Sequence, residues 1–405
     1  MPQEHLLTGI RVLDLSRVLA GPTCTRLFAE MGADVIKVES APNGDMARAV
    51  SRIRNGRSLY MVQQHLNKKS LCVDFRTAEG IGLVRELVPH CDVVVENFRP
   101  GMMAKMGLAY EDLKKLRKDI ILCSISALGQ TGPLSSKPGY DTIAQAYSGV
   151  TSMIGEKDQP PYIPLVGLGD VSTGAHAAFA VAAALLHRAR TGRGQFLDIA
   201  LLDCYYHYHE AGVHQFSGSN GQFKPTRTGR HFSYVSPCGV FRANGGSIVI
   251  IAYLHHWKDM AKALGRPELA DHPEYATDQV RCERREHIVE LIENWLATFP
   301  DVDSAVAALE RHDIPCAPVL SVEQTVTHPH HVQRGTVRTV NDPYAGTFQI
   351  PGMPIKTSDY PAHNPDYIAP RLGEHNRLVL QELLGKTDAQ IDAWSKSGVL
   401  CEGEF

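Results

Sequence analysis

A chain of 405 residues, 43% apolar and 21% charged, has the composition of a globular protein and length for about two to three domains around a sizeable core. Its net charge of −3 gives a nucleic-acid role no electrostatic support. Nine cysteines with no C-x-x-C pair point to a reducing, cytoplasmic setting in which most thiols act as small core hydrophobes.

The start, Met-Pro-Gln-Glu-His, has neither a basic segment nor an apolar one, so no signal peptide is expected. Residues 10–39 read as a βαβ unit: a strand Ile10–Asp14, a helix with Pro22 in its first turn, and a second strand Ala33–Glu39. Apolar strands follow at Leu71–Val73, Val93–Glu96 and Ile120–Ile125, each separated by helical sequence. Alternation at this spacing implies a mostly parallel sheet covered by helices. Gly174–Arg190 reads as a buried helix; its wholly apolar run, Ala177–Leu186, is too short to span a bilayer, and no membrane role is expected. A strand at Gln195–Ala200 leads into a helix near Leu201. The Gly-, Ser-, Asn- and Thr-rich stretch 217–230 reads as a linker. Beyond it come a strand at Gly246–Ala252, helices at 255–264, 284–298 and 302–312, and Ile314–Val319, which closes a smaller α/β portion. Residues 335–405 carry strand-like stretches and a final helix, Glu374–Leu384, and are expected to return to the first domain.

Asp170 is the most informative single residue. It sits in Pro164-Leu-Val-Gly-Leu-Gly-Asp170, on a Gly-rich turn before the Ala-rich helix. Glycines at 167, 169 and 174 let backbone N–H groups approach closely, to bind an oxyanion or to fix the carboxylate. The competing reading of an Asp just before a helix is an N-cap. Lys68, Lys69, Arg76, Arg99 and Lys105 lie near strand ends or in loops, where open α/β sheets bind ligands, and are candidates for the phosphates of a nucleotide-like ligand, with Val73 and Phe98 flanking its base. The turn Val18–Pro22 lacks G-x-G-x-x-G, and Gly167-Leu-Gly169 has the wrong spacing to Gly174, which argues against a nicotinamide enzyme. The clusters His207-Tyr-His209 and His328-Pro-His330-His331 have no metal-ligand spacing, and no metal is expected.

Nine segments occur in order: Leu15-Ser-Arg-Val-Leu-Ala-Gly-Pro22, Gly32-Ala-Asp-Val-Ile-Lys-Val-Glu39, Asn67-Lys-Lys-Ser70, Glu96-Asn-Phe-Arg-Pro-Gly101, Gly129-Gln-Thr-Gly-Pro133, Gly139-Tyr-Asp-Thr-Ile-Ala-Gln145, Leu168-Gly-Asp170, Thr191-Gly-Arg-Gly-Gln195 and Ile314-Pro-Cys-Ala-Pro-Val319. Together, over residues 8–385, they resemble the family III CoA-transferases, the group of carnitine CoA-transferase and formyl-CoA:oxalate CoA-transferase. The resemblance implies an α/β fold with a Rossmann-like large domain and a smaller α/β domain, in an interlocked homodimer or paired with a relative of the same family. Residues 1–216 would form the first part of the CoA-binding domain, 217–330 the linker and small domain, and 331–405 the return.

The resemblance also implies the chemistry. Asp170 matches the nucleophile, which would carry coenzyme A from an acyl-CoA donor to a free carboxylic acid through anhydride and aspartyl-CoA thioester intermediates. Coenzyme A would be part of the substrates, with no tightly bound cofactor. Val73 and Arg76 match positions around the adenine; Asn97, Phe98, Arg99 and Lys105 match positions along the nucleotide and phosphates; Lys137 and Tyr140 match positions near the pantetheine; Leu19 and Ala20 belong to the same ligand-facing turn. Leu19 stands where the formyl-CoA enzyme has a glutamine and Ser40 where it has an arginine, and its consecutive glycines have no counterpart before Ile248, which argues against oxalate. Related α-methylacyl-CoA racemases use a His-Asp pair where this chain reads Tyr140-Asp141, so an isomerase is the first alternative and a non-catalytic CoA-binding protein the second. Tyr205, Tyr206, His207, His209, Tyr253 and His255 suggest an aromatic, polar pocket for a small or medium organic acid, and succinyl-CoA is the expected donor by resemblance.

Overall fold

Each strand of the N-terminal half alternates its side chains between two helix-covered faces, and this period of two builds the sheet. The computed structural model describes residues 4–253, 255–361, 364 and 366–404; residues 1–3 and 405, at the ends of the expected large domain, lie outside the described residues. Six parallel strands are β1 (Arg11–Asp14), β2 (Asp34–Ser40), β3 (Lys68–Val73), β4 (Val93–Glu96), β5 (Ile121–Ser126) and β6 (Phe196–Ala200). They lie in the order β3-β2-β1-β4-β5-β6. Arg11 starts the register opposite Asp34, and Val12 lies opposite Val93. This is the doubly wound order, whose switch point falls between β1 and β4.

The longer helices of this part are α1 (Ala20–Glu30), α2 (Leu59–His65), α3 (Ala78–Leu87), α4 (Tyr110–Leu116), α5 (Asp141–Tyr147), α6 (Leu168–Thr191) and α7 (Leu201–His207), with a single turn of helix at Met102–Lys105. Val12, Val35, Val93 and Val95 face a core with Cys24 and Phe28 of α1 and Ala177, Ala178 and Val181 of α6. Leu13, Ile36, Leu71 and Val94 face the opposite core. The α6 helix begins six residues earlier than the sequence suggests. By length and composition it would suit a bilayer, but Ala177, Ala178, Val181 and Ala184 bury one side of it. A Cβ on its Gly174 would stand 2.6 Å from Ala20 O and from Thr23 Cβ, so this glycine exists to let α6 close on α1.

Contacts divide the chain into two units. The first gathers the described parts of 1–150, 164–210 and 328–405; the second gathers 151–163 and 211–327. The second unit holds an antiparallel sheet of β7 (Cys238–Ala243), β8 (Gly246–Ile251) and β9 (Cys316–Pro318) in the order β9-β8-β7. Its helices α8 (His256–Ala263), α9 (Arg285–Leu296) and α10 (Val302–Glu310) bury Trp257, Ile288, Ile292 and Leu309 against Phe241 and Ile248. The chain then forms the hairpin β10 (Val337–Asp342) and β11 (Gly346–Pro351) and two helices, α11 (Asn376–Leu384) and α12 (Asp388–Ser397), where the sequence suggested one. Both helices pack on the α3 side of the large sheet through Val379, Leu380 and Ile391.

Candidate active site

The switch point between β1 and β4 is where the loops leaving the two strands part, and a cleft opens there. Residues 17–20, 97–100, 125–128 and 137–140 line it with Met46, Ser135, Asp170 and Leu201, enclosing about 1040 Å³ open to solvent. The β4 exit is shaped from within. Buried Glu96 accepts the Phe98 N–H at 2.7 Å, and burial pushes its carboxyl up to about 7. Asn97 spends its amide on the neighbouring turn: its Oδ1 accepts the Arg17 N–H and its Nδ2 donates to the Arg17 carbonyl, both at 2.8 Å. The Arg17 guanidinium lies 5.6 Å from the Phe98 ring centroid, a cation–π distance.

Asp170 is inside α6, in its first turn, rather than on a turn before it. Gly167 is the N-cap and no side chain caps the helix, so the capping role is excluded by position. The helix dipole favours a carboxylate there. Burial opposes it and the neighbouring Asp141 carboxylate adds repulsion, and together they push the Asp170 carboxyl up to about 7. Burial and the carboxylates of Asp170 and Asp45 keep the Tyr60 phenol protonated far above its ordinary range.

Tyr205, buried on α7, fixes this arrangement. Its hydroxyl donates to Asp141 Oδ1 and accepts from the Gly169 N–H at 3.0 Å and from Gln145 Nε2 at 3.3 Å. The Gly169 N–H, expected as an oxyanion donor, is therefore already used. A Cβ on Gly169 would fall 2.1 Å from Tyr205 Cε2, so only glycine admits the ring. Of the residues expected to shape an acid pocket, Tyr205, Tyr206, His207, His209, Tyr253 and His255, the first is consumed as described, the His209 ring meets Ser148 O at 2.8 Å, and the His207 ring packs edge-on to His176. None of Tyr205, Tyr206, His207 and His209 lines the cleft.

Of the ten candidate ligand residues, Leu19, Ala20, Asn97, Phe98, Arg99, Lys137 and Tyr140 line the cleft. Tyr140 is 73% exposed, and Lys137 donates to Tyr147 Oη at 3.2 Å. Val73 is wholly buried in the sheet, Arg76 is exposed and paired with Asp74 at 2.8 Å, and Lys105 ends a short exposed helix; these three lie outside the lining. Lys68 and Lys69 are corrected as phosphate ligands. Lys68 is buried against Asp14 at 3.1 Å, and Lys69 pairs with Asp34 at 2.8 Å. The sequence reading missed Arg17, Val18 and Met46 in the lining and Tyr60 and Asp141 beside Asp170. Arg17, Val18 and Asp141 carried a signal, since each stands in one of the nine ordered segments. Among the described residues, no group of three His, Cys, Asp or Glu is arranged to hold a metal ion.

The family model for CoA-transferase family III matches residues 7–376. The chain is 34% identical over 385 residues to succinyl-CoA–D-citramalate CoA-transferase of Chloroflexus aurantiacus, covering 94% of this chain and 95% of that one. It is 35% identical over 404 residues to succinyl-CoA:glutarate CoA-transferase of Mus musculus, covering 98% and 91%. A crystal structure of a CAIB/BAIF family protein from Brucella suis superposes with a TM-score of 0.82 at 33% identity, over 94% of this chain and all of that one.

Proposed function

The chain belongs to CoA-transferase family III, and we propose that Asp170 is the nucleophile with which it moves coenzyme A from an acyl-CoA donor to a small or medium organic acid. The observation that carries this reading is a cleft carboxylate at the switch point, the only acidic group among the described lining residues, buried beside Asp141 and without a hydrogen-bonding partner among the described residues. An unpaired carboxylate keeps its lone pairs for a carbonyl carbon.

Ionised Asp170 attacks the donor thioester carbonyl; the C–S bond breaks, leaving a mixed anhydride and the coenzyme A thiolate. The thiolate attacks the aspartyl carbonyl and expels the donor acid as its carboxylate, giving aspartyl-CoA thioester. The acceptor carboxylate attacks that thioester, and the thiolate leaves again. Its return to the acceptor carbonyl of the second anhydride gives the new acyl-CoA and regenerates Asp170. No proton is gained or lost overall, and the thioester energy is conserved through the covalent intermediates. Water must be kept from both anhydrides.

Succinyl-CoA is the proposed donor, supported by the names of the two relatives. Apolar Leu19 and Met46, beside Arg99 and Lys137 in one cleft, suit an acceptor with a short apolar body and an anionic end. We further propose the interlocked homodimer and the threaded domain of 1–216 with 331–405. In support, Val171, Phe179 and Leu186 form an exposed apolar stripe along α6, continued by the fully exposed Leu165.

The test is to incubate the protein with succinyl-CoA, trap with hydroxylamine and locate the adduct by mass spectrometry. An aspartyl hydroxamate at Asp170, absent from Asp170→Asn, is expected. No adduct, together with solvent deuterium entering the α-carbon of the acyl group, would overturn the nucleophile assignment in favour of isomerase chemistry.

A further inference from the structure

The turn between β1 and α1 holds Val18 at φ +67°. A β-branched residue adopts this left-handed conformation only where its surroundings over-determine it. The same turn gives Arg17, Val18, Leu19 and Ala20 to the cleft. It also rests against the helix that carries Asp170, since a Cβ on Gly167 would lie 2.8 Å from Leu19 Cδ2.

The group that holds Val18 stands outside that cleft. Both carboxylate oxygens of Asp45 accept the Val18 N–H at 3.1 Å, Oδ1 also accepts the Ala47 N–H at 3.0 Å, and Oδ2 is 3.1 Å from Lys37 Nζ. Lys37 Nζ donates in turn to the Ser16 carbonyl, so the buried pair grips the turn on both sides of Arg17. Asp45 is itself located by its own N–H, which donates to Glu39 Oε2 at 3.0 Å, and Arg48 clasps the Glu39 carboxylate with two bonds of 2.7 Å. Asp45 also caps the short helix Met46–Ala49 through the Ala47 N–H, but that role does not account for its bonds to the strained Val18 of the cleft wall.

We propose that Asp45 is a positioning residue of the active site, acting through the Val18 N–H to keep residues 17–20 in the form that receives the acyl-CoA. This rests on the reading of the Asp170 cleft as the acyl-CoA site. The probe is free coenzyme A, titrated calorimetrically into the unmodified protein, Asp45→Ala, Val18→Gly and the double variant. Alanine removes both acceptors of the Val18 N–H; strain of this kind is worth about a factor of ten in affinity, so Asp45→Ala should weaken binding about tenfold. Glycine needs no restraint at positive φ, so whatever Val18→Gly itself does to binding, adding Asp45→Ala to it should change the affinity by no more than about threefold. A double variant about tenfold weaker than Val18→Gly overturns the proposal, because Asp45 would then act otherwise than through Val18.

Asp45→Ala removes the ion-pair partner of Lys37 and is the variant most exposed to misfolding. The unmodified protein supplies a second measurement: single-residue hydrogen exchange at the Val18 amide. Strong protection is expected; exchange at the rate of an unstructured chain overturns the proposal. Failure of the unmodified protein to bind coenzyme A overturns the reading of the cleft, a different result from loss of rescue on a protein that binds.

Discussion

Replacing Asp141 by Asn is expected to carry the acidic limb of the kcat/KM profile to lower pH. The Asp170 carboxyl is held up to about 7 by burial first and by the Asp141 carboxylate second. In the proposed mechanism its ionised form is the attacking species, so the unmodified enzyme is expected to lose rate as pH falls through about 7. The size of the Asp141 contribution follows from the packing. A Cβ on Gly167 would stand 3.4 Å from Asp141 Oδ2 and 3.8 Å from Asp170 Cβ, so the two carboxylates flank one point of the chain. Charges about 6–7 Å apart at an effective dielectric of about 20 repel by roughly 2.5 kcal/mol, equivalent to ~1.8 pH units. Burial is the larger cause, so this figure is a ceiling. The amide oxygen of Asn still accepts from Tyr205, which keeps the Gly169 anchor in place. The assay is the initial rate of transfer from limiting succinyl-CoA between about pH 5 and pH 9. A fall of the limb by about one to one and a half units is expected; a limb that stays put or rises refutes the repulsion argument.

Two further outcomes follow from the same electrostatics. The native state holds the Asp170 proton more tightly than the unfolded chain, so this group's contribution to stability is lost as pH rises from its ordinary 3.8 through about 7. Asp170→Asn should therefore raise the thermal midpoint at pH 8 by the equivalent of about 1 kcal/mol after allowance for solvent screening, with the gain shrinking towards pH 5; a lower midpoint at pH 8 contradicts this. Lys68→Met strands the buried Asp14 carboxylate and should cost about 3–5 kcal/mol in denaturant unfolding. Coenzyme A affinity per folded molecule should be unchanged, and a tenfold loss would return Lys68 to the phosphate-binding set.

The parallel sheet was legible because β-strands buried on both faces read as short apolar runs at regular spacing, and Val93–Glu96 matches its expected limits. Asp170 was legible only as one residue of a recognisable segment; its local surroundings favoured a cap, and the helix start at Leu168 decides against that. Basic residues misled. Lys68 and Lys69 look like ligand-facing cations until strand β3 turns one inward to Asp14 and leaves the other beside Asp34. The Tyr205 contacts to Asp141 and Gly169 span 64 and 36 positions, and no local pattern encodes them. Val18 is the extreme case, since nothing in a Val between Arg and Leu announces a left-handed backbone.

The outer edge of β3 sets the order in which a growing chain finishes. The Ser70 N–H meets His375 Nδ1, the Cys72 N–H meets Asn376 Oδ1, and the Asp74 N–H meets the Val399 carbonyl. The Cys72 contact closes over 304 positions. At ribosomal rates of roughly 5–20 residues per second, that edge waits about 15–60 s for its cover. For that interval β3 offers open donors and acceptors to any passing strand. A chain stopped before residue 376 never closes it, so nascent-chain stalling between β3 and residue 376 is where insoluble product should accumulate.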